Sequence, residues 1–128
     1  MAEIETPSWV QVGQPVAIYD WRNHTPTAAI AKVERMTATQ IIVGRGRFRR
    51  DNLREVGASY SAELRPVAEP RVIEALARQE ANHARYLIEK ATRPGAKDAT
   101  EARAMLDAIE EIVAKTRRAL DQIEGPQW

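Results

Sequence analysis

The densest chemistry in the sequence lies between Gly44 and Arg54. The run Gly44-Arg45-Gly46-Arg47-Phe48-Arg49-Arg50-Asp51-Asn52-Leu53-Arg54 holds five arginines and a single acid. A guanidinium is a planar fork of donors that fits phosphate or carboxylate oxygens two at a time. Arg45, Arg47, Arg49, Arg50 and Arg54 are therefore the candidate contacts to a nucleic-acid backbone or an acidic protein partner. On a solvated hairpin the same charges would discourage edge-to-edge pairing with another sheet. Both readings stand at this level. The formal net charge of the whole chain is only +1, a smaller basic excess than domains built around nucleic acid usually show.

Two aromatics form the next candidate. Tyr19 and Trp21 share strand parity, so an extended backbone puts both on one side. Exposed, they would make a platform for stacking a base or packing a peptide. Covered, they would seal a sheet against a neighbouring element. Enzyme constellations are missing. His24 and His83 are the only histidines, and no zinc-binding His-Glu-x-x-His, phosphate-cradling glycine loop or nucleophile elbow occurs. Glu80 and His83 have the i, i+3 spacing of carboxylate-bridged metal bundles. The second helix supplies acids but no histidine to complete such a site, so a polar helix pair is expected instead. No catalytic residue, metal or cofactor is expected. The chain has no cysteine, which removes disulfides, thiolate zinc sites and cysteine nucleophiles.

The elements that must position these residues fall into two unlike pieces. The chain has 128 residues, room for a minimal domain plus an appendage. Residues 1–67 read as a small β-barrel. Strands are expected at Val16–Tyr19, Thr27–Arg35, Gln40–Val43, Arg47–Arg50 and Leu64–Val67. Gly44-Arg45-Gly46 signals a three-residue hairpin, and Asp51-Asn52-Leu53 a single helical turn. Five short strands with a tight turn before the last suggest an SH3-like barrel, which curls its sheet to leave few edges open. The expected core is Val16, Ile18, Ile30, Val33, Ile41, Val43, Phe48 and Leu53.

Residues 68–128 read as an antiparallel two-helix hairpin. Pro70 suits the first turn of a helix running to about residue 92. Thr92-Arg93-Pro94-Gly95 breaks it, and Asp98 with Glu101 forms a capping box for a second helix ending near residue 124. In that helix Met105, Ile109 and Ile112 lie on a 3-4 stripe, widened by Leu106, Val113 and Leu120. A stripe of that width has to be covered. The first helix interrupts its own apolar face at Glu80 and His83. These six residues are therefore the expected contacts of a homodimer or higher homo-oligomer, with two hairpins making a four-helix core. Alternatively, the barrel covers the stripe.

The run Ala31-Lys32-Val33-Glu34-Arg35-Met36-Thr37-Ala38-Thr39-Gln40-Ile41-Ile42-Val43, followed by Arg47-Phe48-Arg49-Arg50 and Val56-Gly57, resembles a pattern in small bacteriophage proteins with SH3-like barrels. The resemblance covers residues 9–57 and implies a barrel. It assigns no site. The fold class expected is α+β. The function expected is a non-enzymatic, phage-type accessory protein that binds an unidentified host or phage protein and self-assembles through its hairpin. A nucleic-acid-binding regulator is the alternative. The acidic start Met1-Ala2-Glu3-Ile4-Glu5 is unlike a secretion signal, and no apolar run is long enough to span a membrane. The expected location is therefore the cytoplasm, that of the host if the chain is phage-encoded.

Overall fold

A computed structural model of the chain describes residues 5–21, 25–44, 46–57 and 62–125. His24, Arg45 and Trp128 lie outside the described residues. The architecture is α+β: five antiparallel strands followed by two helices. The chain divides into two compact units, the second beginning at Ala77.

The strands are β1 (Pro15–Asp20), β2 (Thr27–Met36), β3 (Gln40–Val43), β4 (Gly46–Arg49) and β5 (Ala62–Arg65). They form one curled sheet in the order β4-β3-β2-β1-β5. β2 is the long strand that serves both halves. Its start pairs with β1, from Asp20↔Thr27 to Pro15↔Lys32. Its end pairs with β3, with a register shift between Val33 and Arg35 that lets the strand bend. The sheet then returns on itself through residues 53–56. Val56 N–H donates to Arg47 on β4, Leu64 N–H donates to Leu53, and Glu55 N–H donates to Ala62 on β5. The backbones of Phe48 and Glu55, and of Arg54 and Glu63, form single bridges. A short strap thus ties both edge strands, giving the SH3-like barrel arrangement.

The strand register departs from the sequence expectation in small ways. Val43 pairs with Gly46, which tightens the β3–β4 hairpin by one residue. Gly44 sits at φ +57, a conformation that costs glycine little. Gly46 is needed for another reason: a Cβ there would lie 2.8 Å from the Phe48 ring. β5 begins two residues earlier than expected, at Ala62. Leu53 adopts φ 63, so the expected helical turn at 51–53 ends in a left-handed residue that redirects the chain into the strap.

Inside the barrel, Val10, Val16, Val33, Ile41, Val43, Phe48, Ala62 and Leu64 form one buried cluster, with Ile18 and Leu53 packed at its margin. Burying an aliphatic or aromatic side chain of this size contributes about 1.5–3 kcal/mol each. Five of the eight expected core residues, Val16, Val33, Ile41, Val43 and Phe48, pack fully; Ile18 and Leu53 lie at the margin of that cluster and Ile30 packs elsewhere. Ile30 packs on the opposite face of the sheet, with Ala17, Tyr19, Ala28, Val72 and Ala75. That second cluster explains why β1, Pro-Val-Ala-Ile-Tyr-Asp, lacks clean alternation. Both of its faces are covered, one by the barrel interior and one by the start of the first helix.

That helix, α1 (Pro70–Ala91), contributes Val72 and Ala75 to the sheet unit, both essentially inaccessible to solvent. The compact unit therefore extends to Leu76, beyond the 67/68 division expected from composition. The second unit holds the rest of α1 and α2 (Ala99–Glu124), a helical hairpin. Asp98 caps α2 by accepting from the Glu101 N–H at 2.8 Å. The Glu101 carboxylate reaches back to the Lys97 N–H at 2.8 Å, one residue before the cap. At the turn, Ala91 of α1 and Met105 and Ala108 of α2 line one open depression of about 440 Å³. No helix among the described residues is long and apolar enough to cross a membrane.

Candidate functional site

The arginine segment is built by β4 and the strap that follows it. Strand parity sends Phe48 inward, where it is fully buried, and leaves Arg47 and Arg49 on the outer face, both exposed. The segment does not act as one cluster. Arg49 grips Asp51 with two bonds, Nε to Oδ1 at 3.0 Å and Nη2 to Oδ2 at 2.8 Å. This bidentate pair holds the Asp51 carboxyl below the ordinary aspartate value of 3.8, chiefly through the Arg49 hydrogen bond. Arg50 turns the other way. Its Nε donates to the Thr6 hydroxyl at 2.9 Å and its Nη1 to the Thr37 carbonyl at 2.8 Å. It fastens the chain before β1 and the β2–β3 turn to β4. Arg54 is exposed, and its backbone N–H donates to Asn52 Oδ1 at 2.9 Å. Of the candidate five, Arg45 lies outside the described residues, Arg49 is matched by an acid, and Arg50 is structural. Arg47 and Arg54 are in no ion pair among the described residues. Beside them, Thr39, Gln40, Arg49, Asp51 and Val56 line a depression of about 330 Å³.

Tyr19 and Trp21 are neighbours, with ring centroids 5.8 Å apart and planes tilted by 46°. They do not form an open two-ring platform. Tyr19 is buried in the cluster under α1, and the Arg65 guanidinium lies 5.3 Å from its ring centroid. Arg65 also pairs with Glu63 and with Glu69. Tyr19 therefore belongs to the seam between sheet and helix, and Trp21, 38% exposed, is the ring that meets solvent. Sequence parity grouped the two correctly. The burial of one followed from α1 starting its packing at Val72, which composition did not signal.

α2 differs from the other described elements. Its 26 residues include none that is buried. Met105, Ile109, Ile112, Val113 and Leu120 are each half-covered, and Leu106 is 58% exposed. The residues shared with the depression at the turn, Ala104, Met105 and Ala108, mark the side of α2 nearest α1. At 100° per residue, Leu106, Val113 and Leu120 lie round the cylinder from that side. They form the open margin of the apolar stripe. On α1, Tyr86 is 57% exposed. Glu80 is half-buried and His83 exposed, and no three His, Asp or Glu side chains converge among the described residues.

No described protein family matches this chain, and no characterised protein or solved structure shows significant similarity to it.

Proposed function

We propose that this is a non-enzymatic interaction protein of the phage accessory kind, working in the cytoplasm. Its hairpin assembles copies of the chain and its barrel offers a surface to a protein partner. The observation that carries this reading is the uncovered stripe of α2: an amphipathic helix of 26 residues with no buried residue. A helix gains most of its stability by burying its apolar face, so a stripe left half-exposed points to a further covering surface. Among the described residues of the barrel, Trp21, Val12 and Val56 are the exposed large apolar ones, and Val56 borders the depression beside Arg49 and Asp51. A mixed apolar and charged patch of this kind suits a protein surface better than a phosphate backbone.

The test of assembly is mass in solution. Light scattering across a concentration series should return a multiple of the 14.4 kDa chain; a mass near one chain at every concentration would overturn the reading. The alternative role, a nucleic-acid-binding regulator, draws on Arg47 and Arg54. A band shift at low salt that weakens steeply as salt rises would favour it over the protein-binding role.

A further inference from the structure

The unburied face of α2 carries a charge pattern as well as an apolar one. Leu106, Val113 and Leu120 recur every seven residues. Beside them, also every seven residues, stand Arg103, Glu110, Arg117 and Glu124. All four are exposed, and none is in an ion pair among the described residues. Their signs read plus, minus, plus, minus. A row with that order is antisymmetric about its midpoint, so turning it end for end exchanges every plus for a minus.

We propose that α2 pairs with α2 of a second copy, antiparallel, about a two-fold axis passing close to Val113. This rests on the assembly role proposed above and gives it a geometry. In that pairing Arg103 of one copy meets Glu124 of the other, and Glu110 meets Arg117, with each contact repeated by the symmetry. Leu106 lies opposite Leu120, and Val113 lies near its own mate. The surface is self-complementary, as an isologous two-fold interface requires. The charges also select the register. A slip of one heptad in either direction brings Arg103 against Arg117 and Glu110 against itself, or Glu110 against Glu124 and Arg117 against itself. A parallel pair would set the charged row of each copy against the apolar side of the other, leaving the four charges unmatched. Residues flanking a helical seam set orientation and partner choice in this way.

The decisive experiment mixes two charge reversals. Glu110→Arg places arginine against arginine across the axis, and Arg117→Glu places acid against acid. Each variant alone should self-associate at least tenfold more weakly than the parent chain by sedimentation, with helix content unchanged by circular dichroism. Mixed in equal amounts, they should form a heterodimer of near-parental affinity, since each supplies what the other lacks. A mixture that associates no better than its components would overturn the antiparallel register. A second measurement uses the absence of cysteine from the chain. Val113→Cys should oxidise to a linked dimer. Leu106→Cys should not link to itself, because the two copies of residue 106 would lie about 22 Å apart along the seam, but should link to Leu120→Cys. If Leu106→Cys and Leu120→Cys each link to themselves, the helices are parallel and the proposal falls. A parent chain that dimerises without these responses would leave assembly standing and reject this geometry. A parent chain that never dimerises rejects both.

Discussion

The barrel and α2 spend similar apolar side chains in opposite ways. In the barrel, Val16, Ile41 and Phe48 have no measurable exposure, and the cluster closes within one compact unit. In α2, a stripe of Met, Leu, Ile and Val reaches no such state anywhere along 26 residues. The difference teaches where each unit gets its stability. The barrel's is intrinsic, because its own strands cover its own core. If copies of the chain cover α2, as proposed, the hairpin's stability becomes a function of concentration.

The sharpest way to break that contrast is inside the barrel. Phe48→Ala should cost about 3–5 kcal/mol, enough to unfold a domain this small. Loss of amide protection across Ile41–Val43 in hydrogen exchange would register it at every protein concentration. Next comes Val113→Asp. If assembly covers α2, the substitution should abolish the concentration dependence of helix melting, removing about 2.7 kcal/mol of apparent stability at a hundredfold excess of chain over Kd. The barrel's β3 amides should be indifferent to it. A melting curve that never depended on concentration, before or after substitution, would erase the distinction between the two units.

Smaller effects separate the arginines. Arg50→Ala removes two hydrogen bonds that hold Thr6 and Thr37 against β4 and should lower the denaturant midpoint by the equivalent of about 1.5 kcal/mol. Arg47→Ala, on the outer face, should stay within about 0.5 kcal/mol. Equal losses would show that both arginines are structural. Asp98→Ala should cost α2 about 1 kcal/mol through its missing cap, read as early exchange of the amides of its first turn. The smallest effect is a titration. The folded Asp51 has its pKa lowered by Arg49. Its contribution to stability is therefore complete above the unfolded value of 3.8 and is lost as pH falls through the lower folded value. Carboxyl NMR should show Asp51 titrating below an ordinary aspartate, and Arg49→Ala should return it to the ordinary range.

How legible this molecule was differs between the same two regions. β3 was read to the residue because Gln40-Ile41-Ile42-Val43 lies between two turns and has little freedom to shift. The helix limits were nearly as clear, since Pro70, Asp98 and Gly125 punctuate a strong 3.6-residue period. The fate of Tyr19 was not legible. Whether a strand's outer face is solvent or seam depends on what packs there, and Val72 lies far away in sequence. The same holds for the arginines. Five in eleven residues looked like one patch, but Asp51 and Thr6 divide it, and only the folded chain brings Thr6 to Arg50. The uncovered margin of α2 was readable as a stripe too wide for one neighbour, whereas which edge stays open required the depression that Ala91 and Met105 both line.

The seam between β1 and β5 has a consequence for the order in which the barrel forms. β2, β3 and β4 join through short turns, so their pairings close small loops and can appear early. The strap's bonds to β4 and β5 span few residues, whereas the pairing of β1 with β5 brings Ala17 to Arg65, across nearly the whole barrel sequence. Closing so long a loop is entropically slow. Substitutions at Ile41 or Phe48 should therefore retard folding, and substitutions at Leu64 should act mainly by speeding unfolding. The β1–β5 seam would then behave as a latch that closes last and sets the lifetime of the folded barrel.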